Sequence, residues 1–190
     1  MKELSLNILD IVENSAKAEA KNISIALCEK DRVLTLTITD DGKGMSAKAV
    51  ESVTDPFYTT RTTRKVGLGI PLLILAAEQT KGSVQIVSRH IEEYPDTHGT
   101  VVTATIHRDH IDAPPLGDVI ATVVTVIQGH PDTDFLYTHK ADGIDVSLDT
   151  KEMREILGDI PLSSPDILMW IEGNLREQYG IPDDKSSYLL

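Results

Sequence analysis

Apolar and polar residues near the start of the chain recur with the period of an amphipathic helix over residues 3–20. One stripe combines apolar and small side chains: Leu4, Ile8, Ile11, Ser15 and Ala18, widened by Leu9, Val12 and Ala16. The stripe beside it is polar and contains Asn7, Asp10, Asn14 and Lys17. A solubilising face would consist mostly of Lys and Glu, so this ordered row of amides and a carboxylate raises the question of what it binds.

The chain up to residue 107 alternates further helices with strands. The strand candidates, each with alternating apolar residues, are 22–29, 32–40, 82–90 and 99–107. Two more helices are expected at about 46–53 and 69–80, and 54–66 is expected to be a loop. These elements predict an α+β protein, a two-layer sandwich in which helices cover one face of a mixed, mostly antiparallel sheet.

The segment after the proline pair at 114–115 is expected to extend this core, with units at 1–110 and 111–190. Its strand candidates are 119–128, which is strongly β-branched, 134–140 and 144–148. Asp149 and Glu152 form a capping box for a helix at 150–157. Pro165 opens a last helix at 165–179, whose stripe is expected to dock on the sheet: Ile167, Trp170, Ile171, Asn174 and Leu175. The extension either packs on the core or forms a docking surface for a partner.

Composition narrows the classes of function. The net charge is -12, which argues against a general DNA or RNA binder because phosphate neutralisation needs a basic surface. A small nucleotide ligand stays possible, since one basic loop and a metal ion can hold a phosphate chain. The single cysteine, Cys28, fits a reducing cytoplasm. The longest apolar run, at 69–77, is broken by Pro71 and is too short to span a bilayer, and no signal peptide or membrane association is expected.

Two glycine motifs follow predicted elements. "DDGKGM" (40–45) places Asp40 at a strand end before Gly42 and Gly44, where a carboxylate can accept a hydrogen bond from an exocyclic amine. "GLGIP" (67–71) places Gly67 and Gly69 at a helix start, where free N–H groups form an anion site. Taken singly, each is equally a plain turn or a loop-to-helix transition. The second motif matches neither the dinucleotide fingerprint nor a P-loop.

A basic loop lies between the two glycine motifs. "DPFYTTRTTRKV" (55–66) carries Arg61, Arg64 and Lys65, and threonine hydroxyls interleave with these cations. Phe57 can anchor the base of the loop. Cations and hydroxyls on one loop suit a phosphate lid, whereas a solvated basic loop is the alternative when the loop is considered alone.

Four features in this order are far more specific than any one of them. The features lie in four stretches of the sequence: "DIVENSAKA" (10–18), "DDGKGM", "DPFYTTRTTRKVGLGIPL" (55–72) and "HGTVVTATI" (98–106). In the same order, they resemble the N box, the G1 box, the F box with lid and G2 box, and the closing strand of the GHKL (Bergerat-fold) ATPase superfamily. That superfamily includes DNA gyrase, MutL, SpoIIAB-type anti-sigma kinases and sensor histidine kinases. The first box is most similar to MutL and the third stretch to histidine kinases. The resemblance covers about residues 3–108.

The resemblance implies ATP and Mg²⁺ as ligands and assigns the base-binding residues. Asn14 would coordinate Mg²⁺. Asp40 would accept a hydrogen bond from the adenine amino group, with Gly42 and Gly44 giving room for the base. The residues implied to contact the ring or hold it are Met45, Ile70 and Thr100.

The resemblance also implies a phosphate side. Hydrolytic members place a glutamate general base where this chain has Asp10, which is one methylene shorter. Gly67 and Gly69 would present backbone to the phosphates. The residues implied to close over or flank them are Phe57, Thr60, Arg61, Arg64, Lys65 and Leu68, and Lys17 is a further phosphate candidate.

Three functions remain open at this point. The first is a histidine-kinase-like Mg-ATP-binding domain that acts as a regulatory kinase or nucleotide switch on a protein partner in trans. The second is a slow ATPase of the MutL or gyrase type with Asp10 as general base. The third is a non-catalytic protein-binding module that ATP stabilises. All six histidines are expected on strands or loops, so autophosphorylation on histidine in cis is not expected.

Overall fold

A computed structural model describes residues 3–54 and 69–182, which form six helices and six strands. The helices are α1 (Leu4–Lys17), α2 (Ala47–Thr54), α3 (Gly69–Gln79), α4 (Val119–Gly129), α5 (Thr150–Leu157) and α6 (Pro165–Gln178). The strands are β1 (Asn22–Lys30), β2 (Val33–Asp40), β3 (Ser83–Arg89), β4 (Gly99–His107), β5 (Asp134–Ala141) and β6 (Ile144–Asp149). The six strands form one sheet, so the predicted α+β class is confirmed.

The sheet is mixed and mostly antiparallel. Its strand order is β3-β4-β2-β1-β5-β6, and the β1–β5 pair is parallel while the other pairs are antiparallel. In register, Ile25 of β1 lies between Ile38 of β2 and Tyr137 of β5. Strands from residues 111–190 therefore continue the same sheet that the first 110 residues begin.

The helices cover one face of this sheet, and the strand alternation explains why. In β2, Leu34, Leu36 and Ile38 are buried, while the intervening Thr35 and Thr37 point to the other face and are half-buried. The same period of two runs through β1 and β4, so the aliphatic side chains of the central strands collect on one side. Burial of each such side chain stabilises the fold by about 1.5–3 kcal/mol.

The predicted strand at 119–128 is wrong, because this stretch forms α4. The Asp118 carboxylate caps the helix by accepting from the Ala121 N–H at 2.8 Å. Its buried apolar residues recur with helical spacing, and α4 packs against α1 and α6. They are Val119, Ile120, Val123, Val126 and Ile127. Tertiary packing therefore outweighs the β preference of the branched side chains. Neither α4 nor any other helix in the described ranges is long and apolar enough to cross a membrane.

The last helix docks by a stripe that shares Ile171 and Leu175 with the predicted one but leaves out Trp170. Leu168, Ile171 and Leu175 are its buried residues, whereas Trp170 is 55% exposed, so the prediction that Trp170 faces the sheet is wrong. The Gln178 side chain accepts from the Ser147 N–H and donates to the Ser147 carbonyl. This amide therefore satisfies backbone groups of β6, the edge strand next to α6.

A buried polar network joins the end of α6 to the sheet. The Tyr179 hydroxyl lies 2.5 Å from the Tyr137 hydroxyl and 2.7 Å from His139 Nδ1. His139 Nε2 is buried, has no hydrogen-bond partner among residues 3–54 and 69–182, and lies 3.6 Å from Glu29 Oε1. Burial lowers the pKa of His139 below its ordinary value of 6.5; Glu29 opposes this shift and the positive charge of Arg108 adds to it.

The depressed pKa of His139 predicts that acid destabilises the protein through this residue. Below pH 6.5 the unfolded chain takes up a proton on His139 that the folded state binds less readily, so the free energy of unfolding falls as pH falls through the folded pKa. Urea midpoints of the wild type and His139→Gln at neutral and mildly acidic pH measure this effect. The variant should lose part of the pH dependence, and the surface control His110→Gln should retain it. Equal pH dependence in all three proteins would contradict the assignment.

Candidate functional site

A cavity of about 250 Å³ lies between α1, the turn after β2, the start of α3 and β4. Six of the residues predicted to bind the nucleotide line it: Asn14, Asp40, Gly44, Met45, Ile70 and Thr100. Ile11, Val53 and Val102 add apolar side chains to its wall. Residues far apart in the sequence thus enclose one mostly apolar space with a few polar groups, as is usual for small-molecule sites.

Asp40 is held in one orientation at the end of β2. It is 9% exposed, its Oδ2 accepts from the Ser15 hydroxyl at 2.6 Å, and its Oδ1 accepts from the Gly42 N–H at 3.0 Å. The sequence pattern does not reveal this role of Ser15, which occurs there only as a small member of the apolar stripe. The available signal was a lone hydroxyl in that stripe, directly after Asn14.

The neighbouring Asp41 has a structural role at the start of β1. Its carboxylate accepts from the backbone N–H groups of Lys21 and Asn22 and from the Asn22 side chain, at 2.7–2.9 Å. Burial alone would raise the pKa of Asp41, but these hydrogen bonds outweigh burial and lower it below 3.8. Asp41 therefore anchors the start of β1, while Asp40 faces the cavity.

The turn 42–45 needs its glycines because other parts of the chain lie close to them. Gly44 has a φ of +67°, and a Cβ there would lie 2.0 Å from the Arg89 carbonyl oxygen. A Cβ on Gly42 would lie 2.9 Å from Ala18 Cβ. The sequence predicts that these glycines make room for a ligand base, whereas the atoms that they make room for in this structure belong to Ala18, directly after α1, and to Arg89 of β3.

A hydroxyl pair supports the opposite wall of the cavity. Thr100, the register partner of both Asp40 and Ser88, places its Oγ1 2.8 Å from Ser88 Oγ. Ser88 Oγ also accepts from the Met45 N–H at 2.8 Å. Ser88 lies outside the four sequence motifs, and no pattern in the sequence indicates its role.

The polar stripe of α1 contacts the start of α3. The Asn7 side chain, 5% exposed, donates to the Gly69 carbonyl at 3.2 Å. A Cβ on Gly69 would lie 2.4 Å from Asp10 Cβ, so only glycine allows this approach. Asp10 is exposed beside the amino end of α3, and Lys17 is exposed and does not line the cavity.

Part of the predicted phosphate side lies outside the described residues. These residues are Phe57, Thr60, Arg61, Arg64, Lys65, Gly67 and Leu68. Their roles stay predictions from the sequence.

Comparisons with known proteins agree with this arrangement. Residues 2–110 match the family model described as "Histidine kinase-, DNA gyrase B-, and HSP90-like ATPase". The chain is 29% identical over 83 residues to the sensor histidine kinase ZraS of Escherichia coli, which is 43% of this chain and 18% of ZraS. It is 37% identical over 71 residues to the C4-dicarboxylate transport sensor protein DctB of Pseudomonas aeruginosa, which is 37% of this chain and 11% of DctB. The chain therefore matches less than a fifth of the length of either relative.

A solved structure shows the same fold. The Aquifex aeolicus MutL ATPase domain complexed with ADP superposes with a TM-score of 0.53 and 14% identity, over 82% of this chain and 68% of that one. At this identity the likeness concerns the fold alone. Because the family model spans more than half of the sequence, this chain belongs to the histidine kinase-, DNA gyrase B- and HSP90-like ATPase family.

Proposed function

We propose that the chain binds Mg-ATP in this cavity and acts as a histidine-kinase-like regulatory kinase or nucleotide switch on a protein partner in trans. The observation that carries the proposal is Asp40, a carboxylate fixed by Ser15 and Gly42 in the wall of an apolar cavity. An acceptor in such a cavity favours a flat ring with an exocyclic amino group, which adenine has. Guanine presents a carbonyl oxygen at the same position and would face the carboxylate unfavourably.

Asn14 fits the proposed role of magnesium ligand. Its side chain lines the cavity one helical turn from Asp10, on the face of α1 that leads toward the start of α3. An amide oxygen is a hard, neutral donor, and Mg²⁺ in nucleotide sites takes most of its oxygens from phosphate groups and water. When bound, the ion would neutralise charge on the phosphates, and Asn14 would tie it to α1.

The phosphates would lie toward the amino end of α3. Backbone N–H groups at a helix start attract anions, and Gly69 begins this helix. The basic residues Arg61, Arg64 and Lys65 are proposed to close over the phosphates. Asp10 lies against Gly69 and so flanks the same position.

The position of Asp10 also supports the second candidate, a slow ATPase. Asp10 is exposed on the polar face of α1, packed against the helix start where we place the phosphates. A carboxylate there can take the proton of an attacking water, provided that its shorter side chain reaches that water.

Phosphate release from Mg-ATP separates these two candidates. If Asp10 is a general base, Asp10→Asn should reduce turnover by about 100-fold or more while ATP affinity is retained. Affinity is measured by titration calorimetry and turnover by a coupled phosphate assay. Glu13→Gln is the matched control, because Glu13 lies on the same helix but contacts His130 at 2.8 Å.

Each outcome of that assay assigns a class. Turnover that disappears only in Asp10→Asn would make the protein an ATPase, and unchanged turnover in Asp10→Asn would place the base elsewhere. ATP binding without turnover would support the kinase or switch. ATP binding that only raises the melting temperature, with no phosphoryl transfer to any partner, would support a non-catalytic module. Absence of ATP binding would contradict the proposed function.

We also propose the division into an ATP-binding core at 1–110 and an extension at 111–190. The family match ends at residue 110, and the extension contributes β5, β6 and α4 to α6. A cytoplasmic location fits the single cysteine, Cys28.

A further inference from the structure

We propose that Ser88 fixes the direction of the Thr100 hydroxyl and so makes the site select a base whose ring nitrogen accepts a hydrogen bond. This inference rests on the proposed binding of ATP in the cavity. Ser88 would be a positioning residue, because it acts on the base through Thr100.

Three polar atoms surround the Ser88 hydroxyl. Met45 N donates to it at 2.8 Å, Thr100 Oγ1 lies 2.8 Å away, and the Gly99 carbonyl oxygen lies 3.2 Å away. A serine hydroxyl has one hydrogen to donate. Since the Met45 contact uses Ser88 as acceptor, that hydrogen goes either to Thr100 or to Gly99.

The direction of the Ser88 hydroxyl hydrogen decides whether Thr100 presents a hydrogen-bond donor or only lone pairs to the cavity. If Ser88 donates to Thr100 Oγ1, the hydrogen of Thr100 is free to point at a ligand. If Ser88 donates to the Gly99 carbonyl, Thr100 must donate to Ser88 to keep the pair bonded, and only its lone pairs face the ligand. The 2.8 Å bond between Ser88 and Thr100 is kept in both arrangements, so they differ in the bond from Ser88 to the Gly99 carbonyl, which at 3.2 Å is longer than an ordinary O–H···O hydrogen bond. When a ligand acceptor faces Thr100, the first arrangement exchanges that long bond for a bond to the ligand and is therefore favoured. Thr100 is then a donor.

The surrounding backbone holds Ser88 in this place. The Ile91 N–H donates to the Lys43 carbonyl at 2.9 Å, and Gly44 packs on the Arg89 carbonyl, so the turn 42–45 is attached to the end of β3. Ser88 therefore links the turn that carries Met45 to the strand that carries Thr100.

An acceptor and a donor side by side match one edge of adenine. Asp40 and Thr100 are register partners on adjacent strands. Adenine carries an amino donor next to a ring nitrogen acceptor, whereas hypoxanthine carries a carbonyl acceptor next to a ring N–H donor. The two bases thus present opposite patterns to the same two side chains, and inosine triphosphate is the natural probe.

The test compares ATP with inosine triphosphate by calorimetric titration of the full chain. In Ser88→Ala the preference for ATP should fall by about tenfold, because the Thr100 hydroxyl loses its fixed direction. Ser88→Thr keeps a hydroxyl and should restore the preference. The matched control is Ser83→Ala, which removes the hydroxyl pair that Ser83 forms with Thr105 at 3.2 Å on the same two strands. It should leave the preference unchanged.

A double variant shows whether Ser88 acts through Thr100. In a Thr100→Val background, Ser88→Ala should have no further effect on the preference. If Ser88→Ala weakens both nucleotides equally, Ser88 is only structural and the inference is overturned, while ATP binding by the wild type still supports the proposed function. If the wild type binds neither nucleotide, the proposed function fails first. Melting temperatures of all variants establish that each is folded.

Discussion

Asp40→Asn is expected to weaken ATP binding by about 100-fold or more and to leave the protein folded. The carboxylate of Asp40 accepts from the Ser15 hydroxyl and the Gly42 N–H and still has lone pairs that face the cavity. An amide of the same shape must replace one acceptor oxygen with an NH₂ donor. That donor then faces either the Gly42 N–H, which needs an acceptor, or the Ser15 hydroxyl, and in both cases one acceptor oxygen fewer is left for the adenine amino group.

The adjacent residue provides the control for this experiment. Asp41→Asn makes the same chemical change one position further on, where the carboxylate accepts from Lys21 and Asn22 rather than facing the cavity. We expect near-normal ATP affinity and reduced stability above pH 4, where the wild-type carboxylate is ionised. Calorimetric titration and urea unfolding measure the two effects. Normal affinity in Asp40→Asn would contradict the assignment of the cavity as the adenine site.

Local patterns were sufficient to predict most of the fold. The period-two alternation of Leu34, Leu36 and Ile38 identified β2 and its buried face, because a strand cannot bury one face without this alternation. The resemblance assigned Asp40 and Thr100 to one ligand; they are register partners on adjacent strands, and their contact with a nucleotide stays a prediction. The fold predictions succeeded because each depends on neighbours in the sequence or on a resemblance that carries the topology with it.

Predictions failed where the deciding contact is distant in sequence. Residues 119–128 have strand-forming side chains, but α1 and α6 offer an apolar groove that a helix fills. Trp170 was predicted on the same helical stripe as Ile171, yet α6 docks through Leu168, Ile171 and Leu175 and leaves Trp170 exposed. Ser15 and Ser88 were missed for the same reason, since each matters through a hydroxyl contact with a strand that a local pattern does not reveal.

Gly69→Ala is expected to destabilise the protein by about 1–3 kcal/mol and to reduce ATP affinity together with stability. The new Cβ would lie 2.4 Å from Asp10 Cβ, so α1 and α3 must move apart. That movement would also stretch the hydrogen bond from Asn7 to the Gly69 carbonyl, which joins the same two helices. The site loses affinity because Asn14 and Ile70 lie on these two helices, on opposite walls of the cavity.

Gly173→Ala in α6 is the matched control, because a Cβ at that position would meet no atom of the described residues within 4 Å. There alanine should stabilise the helix by up to about 1 kcal/mol. A second variant identifies the clash itself. In the Gly69→Ala background, Asp10→Gly removes the opposing Cβ and should raise the free energy of unfolding by more than a glycine inside a helix costs. Asp10→Ala keeps that Cβ and should not raise the free energy of unfolding. Urea unfolding of these four variants and the wild type provides the comparison, and equal stability of Gly69→Ala and the wild type would show that the two helices do not depend on this contact.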